Sequence, residues 1–292
     1  MNFGRNTEQK ILSGKPESKT ENRYGGGRVV AVAGAGVAGM TAAKVLAERG
    51  FCPVVFEKRA AAGGQVNWAD KPPHKEQLGQ IVVSLLKQLE SLGVEIRFNT
   101  EANVQNLLEL NPYAVIVATG SVPLRPQSVP GINLPQVLTV AELFGGKEKI
   151  ENKKAVLVGS GAAGLEVAEF LCVNGNKLTI VEMQDKIGKG VYEELYNRMM
   201  TRLEKYEICY LPSHKLTAAE PTAVVVEDLT NGVLKRLKTD YTVLTMGVCP
   251  VNSLAKELEP FFDKVFIVGD ALAPGRIGDA VNSAVQTASA LE

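Results

Sequence analysis

The sequence predicts an α/β fold made of two tandem units of like design, the second inserted into the first. Three observations carry that prediction. Gly34-Ala35-Gly36-Val37-Ala38-Gly39 and Gly159-Ser160-Gly161-Ala162-Ala163-Gly164 share one glycine spacing. Each is followed by an acid 23 positions after its first glycine, Glu57 (57 − 34) and Glu182 (182 − 159). Each unit also closes on a β-branched run and a glycine, Gly120 and Gly247, 86 (120 − 34) and 88 (247 − 159) positions after that first glycine.

The elements follow in order. Residues 1–27 are polar, end in Gly25-Gly26-Gly27 and carry no apolar signal region, so they read as a flexible N-terminal segment. Arg28–Ala33 is a short β-branched run suited to a buried parallel strand. The first glycine motif follows at once, then the helix-forming run Met40–Arg49, with Gly50 as its stop. Pro53–Phe56 is the next strand and ends at Glu57. Lys154–Val158, Leu165–Val173 and Lys177–Val181 repeat strand, helix and strand around the second motif, with Gly175 as the stop and Glu182 at the end. Ala114–Thr119 and Tyr241–Met246 are the closing strands. Lys264–Val268 is a final strand, Gly269-Asp270 a turn and Gly278–Leu291 a closing helix that returns to the first unit. The expected division is 28–150 plus 250–292 for the first unit and 151–249 for the second.

Composition narrows the function. Hydrophobic residues make up 45% and charged residues 22%, ordinary values for a globular protein. Lys+Arg and Asp+Glu both number 32, so no net field attracts nucleic acid or an anionic membrane. The cluster Lys147–Lys154 is interrupted by glutamates and reads as solvated surface. No apolar run approaches the roughly 20 residues that span a bilayer. Cys52, Cys172, Cys209 and Cys249 form no C-x-x-C pair, which fits reduced thiols in the cytoplasm. His74 and His214 are the two histidines, too few for a histidine–cysteine metal site or a histidine-based general base.

Each glycine motif sits at a strand-to-helix turn. The first glycine permits the tight turn, the second lets backbone approach a pyrophosphate, and the third lets helix and strand pack closely. The pyrophosphate rests on the helix N-terminus, where free N–H groups and the dipole favour an anion. Glu57 and Glu182 would accept hydrogen bonds from adenosine ribose hydroxyls. A carboxylate at 182 repels a 2′-phosphate, which predicts NADH over NADPH despite Lys186 and Lys189 nearby. Two such cradles suit a protein that hands a hydride from one dinucleotide to another. Gly63-Gly64-Gln65 reads either as an ordinary turn or as backbone facing phosphate. Asp270 reads either as a turn or cap residue or as an acceptor for a ribityl chain.

The fingerprint with GGQ, then VIVATG, the second fingerprint, TMG-x-x-P and VGD together resemble the two-dinucleotide-binding-domain flavoproteins of the pyridine nucleotide-disulfide oxidoreductase type. The segments GGQVNWADKPPHKEQ and GDALAPGRIGDAVNSAVQTA resemble one branch more closely. That branch is the C-terminal half of 2,4-dienoyl-CoA reductase, 2-enoate reductase and trimethylamine dehydrogenase relatives. The resemblance spans residues 28–291 and implies two Rossmann-like domains, FAD in the first and NAD(P)H in the second. It puts the FAD pyrophosphate at Gly34, Gly36, Val37 and Ala38, the adenosine ribose at Glu57 and adenine beside Lys58 and the Ala102 backbone. Gly64 and Gln65 line the path to the flavin, Ala118, Thr119 and Gly120 pass beside it, and Gly269 and Asp270 hold the ribityl chain. Ile277 and Gly278 begin a helix whose N-terminus faces the flavin N1/O2 edge. In the second domain Gly159, Gly161, Ala162, Ala163, Glu182 and Gly247 would hold NADH. Glu166 matches a position that lies near the nicotinamide in related reductases, or is a surface helix charge.

Members of that branch carry an FMN-binding barrel and a four-cysteine iron–sulfur cluster upstream, and other relatives carry a C-x-x-C or a histidine–glutamate dyad. Those motifs are missing from this sequence. The expected function is therefore an NADH-dependent FAD oxidoreductase that passes electrons to a separate FMN or iron–sulfur barrel protein. The alternatives are a non-catalytic ADP-binding module that docks on a partner, and a stand-alone reductase of quinones or nitro compounds.

Overall fold

A computed structural model describes residues 24–146 and 149–292. Its strands are β1 (Val29–Ala33), β2 (Cys52–Phe56), β3 (Glu95–Arg97), β4 (Ala114–Val117), β5 (Ser121–Pro123), β6 (Val137–Thr139), β7 (Lys154–Val158) and β8 (Lys177–Val181). They continue as β9 (Ile208–Leu211), β10 (His214–Glu220), β11 (Ala223–Asp228), β12 (Val233–Lys238), β13 (Tyr241–Leu244), β14 (Val248–Pro250) and β15 (Val265–Ile267).

Two five-stranded parallel sheets dominate, in the orders β15-β4-β1-β2-β3 and β6-β13-β7-β8-β9. Each is the doubly wound order expected of a Rossmann-like unit, with the strand before the glycine motif at the centre. The central strands are buried on both faces, which is why Val30, Ala31, Val32 and Ala33 form an unbroken apolar run. The last strand, β15, pairs with β4 of the first sheet. β6 lies ahead of position 151, yet it pairs with β13 in the second sheet.

Helix Val37–Glu48 crosses from β1 to β2 and buries Met40 and Leu46 completely. Helix Ile277–Ala290 places Ala284 and Ala288 in the same core. Burying one such large side chain contributes about 1.5–3 kcal/mol. The corresponding helix in the second unit is Ala162–Val173, with Leu165, Val167 and Leu171 buried. Both helices begin inside their glycine motifs, at Val37 and Ala162. That is three residues earlier than composition suggests, because Val37, Ala38, Ala162 and Ala163 belong to the first helical turn.

A three-stranded antiparallel meander, β10-β11-β12, lies between β9 and β13. A two-stranded antiparallel ribbon, β5-β14, joins the exits of the two parallel sheets. Residues 24–27, assigned by sequence to the flexible segment, are held by backbone bonds from Gly25 N to Arg49 O (3.0 Å) and Gly27 N to Gly50 O (2.9 Å). Residues 1–23 of that segment, and Lys147 and Glu148 of the basic cluster, lie outside the described residues. Among the described residues no helix is long and apolar enough to cross a membrane.

Two outcomes follow from this packing. A Cβ added at Gly39 would lie 1.9 Å from Gly34 O. Gly39→Val should therefore lower stability by at least about 1–3 kcal/mol, the usual cost of overpacking, seen as a lower urea midpoint at unchanged m. Burial pushes the Cys172 thiol up to about 11, while Cys52 and Cys209 are exposed. Native protein at pH 8 should label at Cys52 and Cys209 with a thiol reagent, and at Cys172 only after unfolding.

Candidate functional site

The two glycine loops are built on one plan, held by equivalent bonds. Gly34 N donates to Phe56 O and Gly159 N to Val181 O, both at 2.8 Å. Gly34 and Gly159 have φ of +109° and +100°, a region that disfavours side chains. A Cβ there would lie 2.5 Å from Ala118 O and 2.4 Å from Thr245 O, so each first glycine lets the loop press onto the closing strand. The Glu57 carboxylate, 7% exposed, accepts from Ala35 N (2.9 Å) and Arg59 N (2.9 Å). Glu182 accepts from Ser160 N (2.8 Å) and Gln184 N (2.9 Å) in the same way. Each acid thus ties the turn after the second strand to the glycine loop after the first.

What remains open is the notch at the second glycine. A Cβ at Gly36 or Gly161 would meet no protein atom within 4 Å. Each of these residues caps a 12-residue helix with no side chain bonded to the terminal amides. Free amides beside empty space at the positive end of a helix fit a pyrophosphate. The residues present therefore fit a dinucleotide at both loops.

Around the first notch the structure gathers several of the expected residues. Gly63 N donates to Ala35 O (2.8 Å), and a Cβ on Gly64 would lie 3.3 Å from Gly36 Cα, so the GGQ turn packs on the glycine loop. Gln65 Nε2 reaches Ser121 Oγ (2.5 Å) and Asp270 Oδ2 (3.3 Å), and Ser121 Oγ donates to Asp270 Oδ2 (2.9 Å). Gln65 and Asp270, 205 positions apart, thus meet through a serine that sequence reasoning missed. Its signal is a polar residue directly after the closing glycine. Gly269, with φ of +62°, sits against Ala38, where a Cβ would come within 2.6 Å of the Ala38 Cβ. Thr119 Oγ1 donates to Val251 O. Gly120, with φ of +73°, accepts from Val251 N at 2.9 Å. Helix Ile277–Ala290 starts at Ile277 and Gly278, with Arg276 N bonded to Asp279 Oδ2 (2.8 Å). Lys58 is exposed and pairs with Glu101 at 3.7 Å, next to Ala102.

At the second notch, Gly247 has φ of +98° and open space around it, and its carbonyl accepts from Leu124 N (2.9 Å). The β5-β14 ribbon therefore fastens the two closing glycines, Gly120 and Gly247, to each other's strands. Glu166, on helix Ala162–Val173, forms an ion pair with Lys75 at 2.6 Å. One turn further on, Glu169 accepts from Arg202 Nε (2.8 and 2.9 Å) and faces His74 Nε2 at 3.5 Å. The Lys75 and His74 contacts come from the segment after Pro72-Pro73 and join the two units. His74 holds a left-handed backbone there, with φ of +67°. Sequence reading passed over Lys75, since nothing local marks its distant partner.

Gly36→Val and Gly39→Val separate the roles of these glycines. With both proteins freed of nucleotide, Gly36→Val should leave the urea midpoint much closer to wild type than Gly39→Val does, yet fill the notch and abolish nucleotide retention on reloading, measured by absorbance after gel filtration. A stability loss equal to that of Gly39→Val would contradict the open notch.

Residues 28–271 match the family model described as pyridine nucleotide-disulphide oxidoreductase. Among curated relatives, the NADH oxidase of Thermoanaerobacter brockii is 34% identical over 271 residues, covering 89% of this chain and 40% of its own length. The bilirubin reductase of Mediterraneibacter gnavus is 33% identical over 241 residues, covering 82% and 37%. The chain thus spans about 40% of the length of these relatives. Among solved structures, a 2-naphthoyl-CoA reductase complex superposes with a TM-score of 0.83 at 23% identity, over 91% of this chain and 40% of that one. The thioredoxin reductase of Lactococcus lactis superposes with a TM-score of 0.72 at 22% identity, over 90% and 96%. The family implies FAD and a pyridine nucleotide. Twin glycine cradles on twin parallel sheets, and a family match over most of the described length, make this chain a member of the pyridine nucleotide-disulphide oxidoreductase family.

Proposed function

We propose that the chain is an NADH-dependent FAD oxidoreductase that delivers electrons to a separate FMN or iron–sulfur barrel protein. The carrying observation is the pair of open notches at Gly36 and Gly161 on sheets fastened together through Gly120 and Gly247. The relatives named NADH oxidase and bilirubin reductase support redox chemistry of this type. The match covers 40% of such relatives, whose remaining length is where further machinery of this kind would lie.

In this reading the first unit comprises 28–150 plus 250–292, with the second inserted into it at 151–249. The pairing of β15 with β4 supports the insertion, and the pairing of β6 with β13 supports adding β6 to the second unit. FAD, when bound, supplies the hydride acceptor. Gly34, Gly36, Val37 and Ala38 seat its pyrophosphate, and Glu57 takes ribose hydroxyls on lone pairs not used by Ala35 and Arg59. Lys58 and Ala102 border the adenine, and Gly64, Ala118, Thr119, Gly120 and Gly269 line the passage. Asp270, oriented by Ser121 and Gln65, accepts from the ribityl chain. Ile277 and Gly278 present a helix N-terminus to the electron-rich edge of the ring.

Gly159, Gly161, Ala162, Ala163 and Gly247 seat NADH, with Glu182 on its adenosine ribose. Glu166, held by Lys75 of the first unit, positions the nicotinamide. Catalysis is then chiefly positioning. The preference for NADH rests on Glu182 and on the engagement of both nearby lysines. Lys189 Nζ is 2.8 Å from Asp185 Oδ1, and Lys186 Nζ lies 5.1 Å above the Tyr196 ring.

Purified protein should be yellow, bleach anaerobically with NADH, and show a higher kcat/KM for NADH than for NADPH. Release of ADP rather than FAD on denaturation would instead identify a non-catalytic binding module.

A further inference from the structure

We propose that Ser160 is a specificity-determining residue, whose hydroxyl fastens the 184–190 segment to Glu182 and so keeps two lysines away from a 2′-phosphate. This rests on the reading of the second cradle as the pyridine-nucleotide site.

The observation is an asymmetry between two otherwise matching loops. In the first, the residue after the leading glycine is Ala35, and Glu57 is oriented by two backbone amides. In the second, the same position is Ser160, 1% exposed. Glu182 receives the equivalent two amides, from Ser160 and Gln184. The Ser160 hydroxyl adds a bond to the acid that the first loop lacks, and it takes an amide whose equivalent in the first loop, Gly63 N, is held by the Ala35 backbone carbonyl instead (188 − 160 and 63 − 35 are both 28). The hydroxyl donates to Glu182 Oε2 at 2.7 Å and accepts from Gly188 N at 3.0 Å.

The first loop shows that orienting the acid needs no hydroxyl. What Ser160 contributes beyond orientation is the bond to Gly188, the middle of the segment that follows the acid. Gly188 is buried with φ of +70°, and a Cβ there would lie 2.5 Å from the Tyr196 ring. The segment is thus pinched between Ser160 and Tyr196. In that position Lys186 lies over the Tyr196 ring and Lys189 is paired with Asp185. Removing the hydroxyl leaves a buried amide without its acceptor, a state that costs more than the bond itself contributes. The segment relieves it by turning the Gly188 amide to water, which carries Lys186 and Lys189 free. Lysines beside the ribose then offset the repulsion of Glu182 for a 2′-phosphate.

The test is calorimetric titration of the FAD-loaded protein with NAD+ and NADP+, which bind without reducing a flavin. Ser160→Ala should keep the Kd for NAD+ within about threefold of wild type, because two amides still hold Glu182. It should tighten NADP+ enough to lower the NAD+ preference about tenfold, the scale of one hydrogen bond to a charged group. The triple variant S160A/K186Q/K189Q should restore the preference. A loop merely loosened would weaken both ligands together. That outcome, or an unchanged ratio, overturns the assignment of Ser160. Wild-type protein that binds neither nucleotide would overturn the parent reading of the second cradle, a distinguishable failure.

Discussion

Each half of this molecule is organised around a carboxylate clamped by backbone amides. Glu57 and Glu182 sit at the ends of β2 and β8, and each binds the amide directly after the leading glycine of its loop. A carboxylate withdrawn from water is costly unless its lone pairs are satisfied, so this bond fixes the height of the loop over the sheet. Once the loop is fixed, the third glycine must pack against the first, the helix must begin at Val37 or Ala162, and the notch at the second glycine stays empty. The cradle is a by-product of satisfying one acid.

Around these matching frames the two sites diverge in what closes them. The first is walled by the GGQ turn, Ser121, Asp270 and the helix from Ile277, contributed from points far apart in the chain. Such a wall suits a ligand that stays. The second is bordered by the short 184–190 segment and by open space at Gly161 and Gly247. The contacts that bring the two together include Lys75 with Glu166, His74 with Glu169, and the β5-β14 ribbon.

The central strands of the parallel sheets were legible in the sequence because they are buried apolar runs that lead into a glycine or an acid, whereas the border strands β3, β6 and β9 were not. The family emerged from the same motifs, with GGQ, VIVATG and VGD around them. Elements set by distant pairing were not legible. β5 and β14 have three residues each and exist because they pair with one another across more than a hundred positions. Ser121, Ser160 and Lys75 acquire their roles from partners that only the fold brings near. Even the matching distance to Gly120 and Gly247 conceals a difference. β2 and β3 are separated by residues 57–94, whereas β8 and β9 are separated by the shorter 182–207. The reverse holds next, with 98–113 between β3 and β4 but 212–240, including the meander, between β9 and β13. Two unequal spans offset each other, so the near-identical totals overstate the internal likeness.

The edge strands carry a consequence for modular engineering. The first sheet takes β15 from the end of the described chain, and the second takes β6 from ahead of its own glycine motif. Cutting between β6 and β7 to excise either half as a gene fragment would strip one sheet of a border strand and expose an unpaired backbone edge. Shuffling these halves between relatives calls for junctions inside the β5-β14 ribbon, where a crossover leaves both sheets whole.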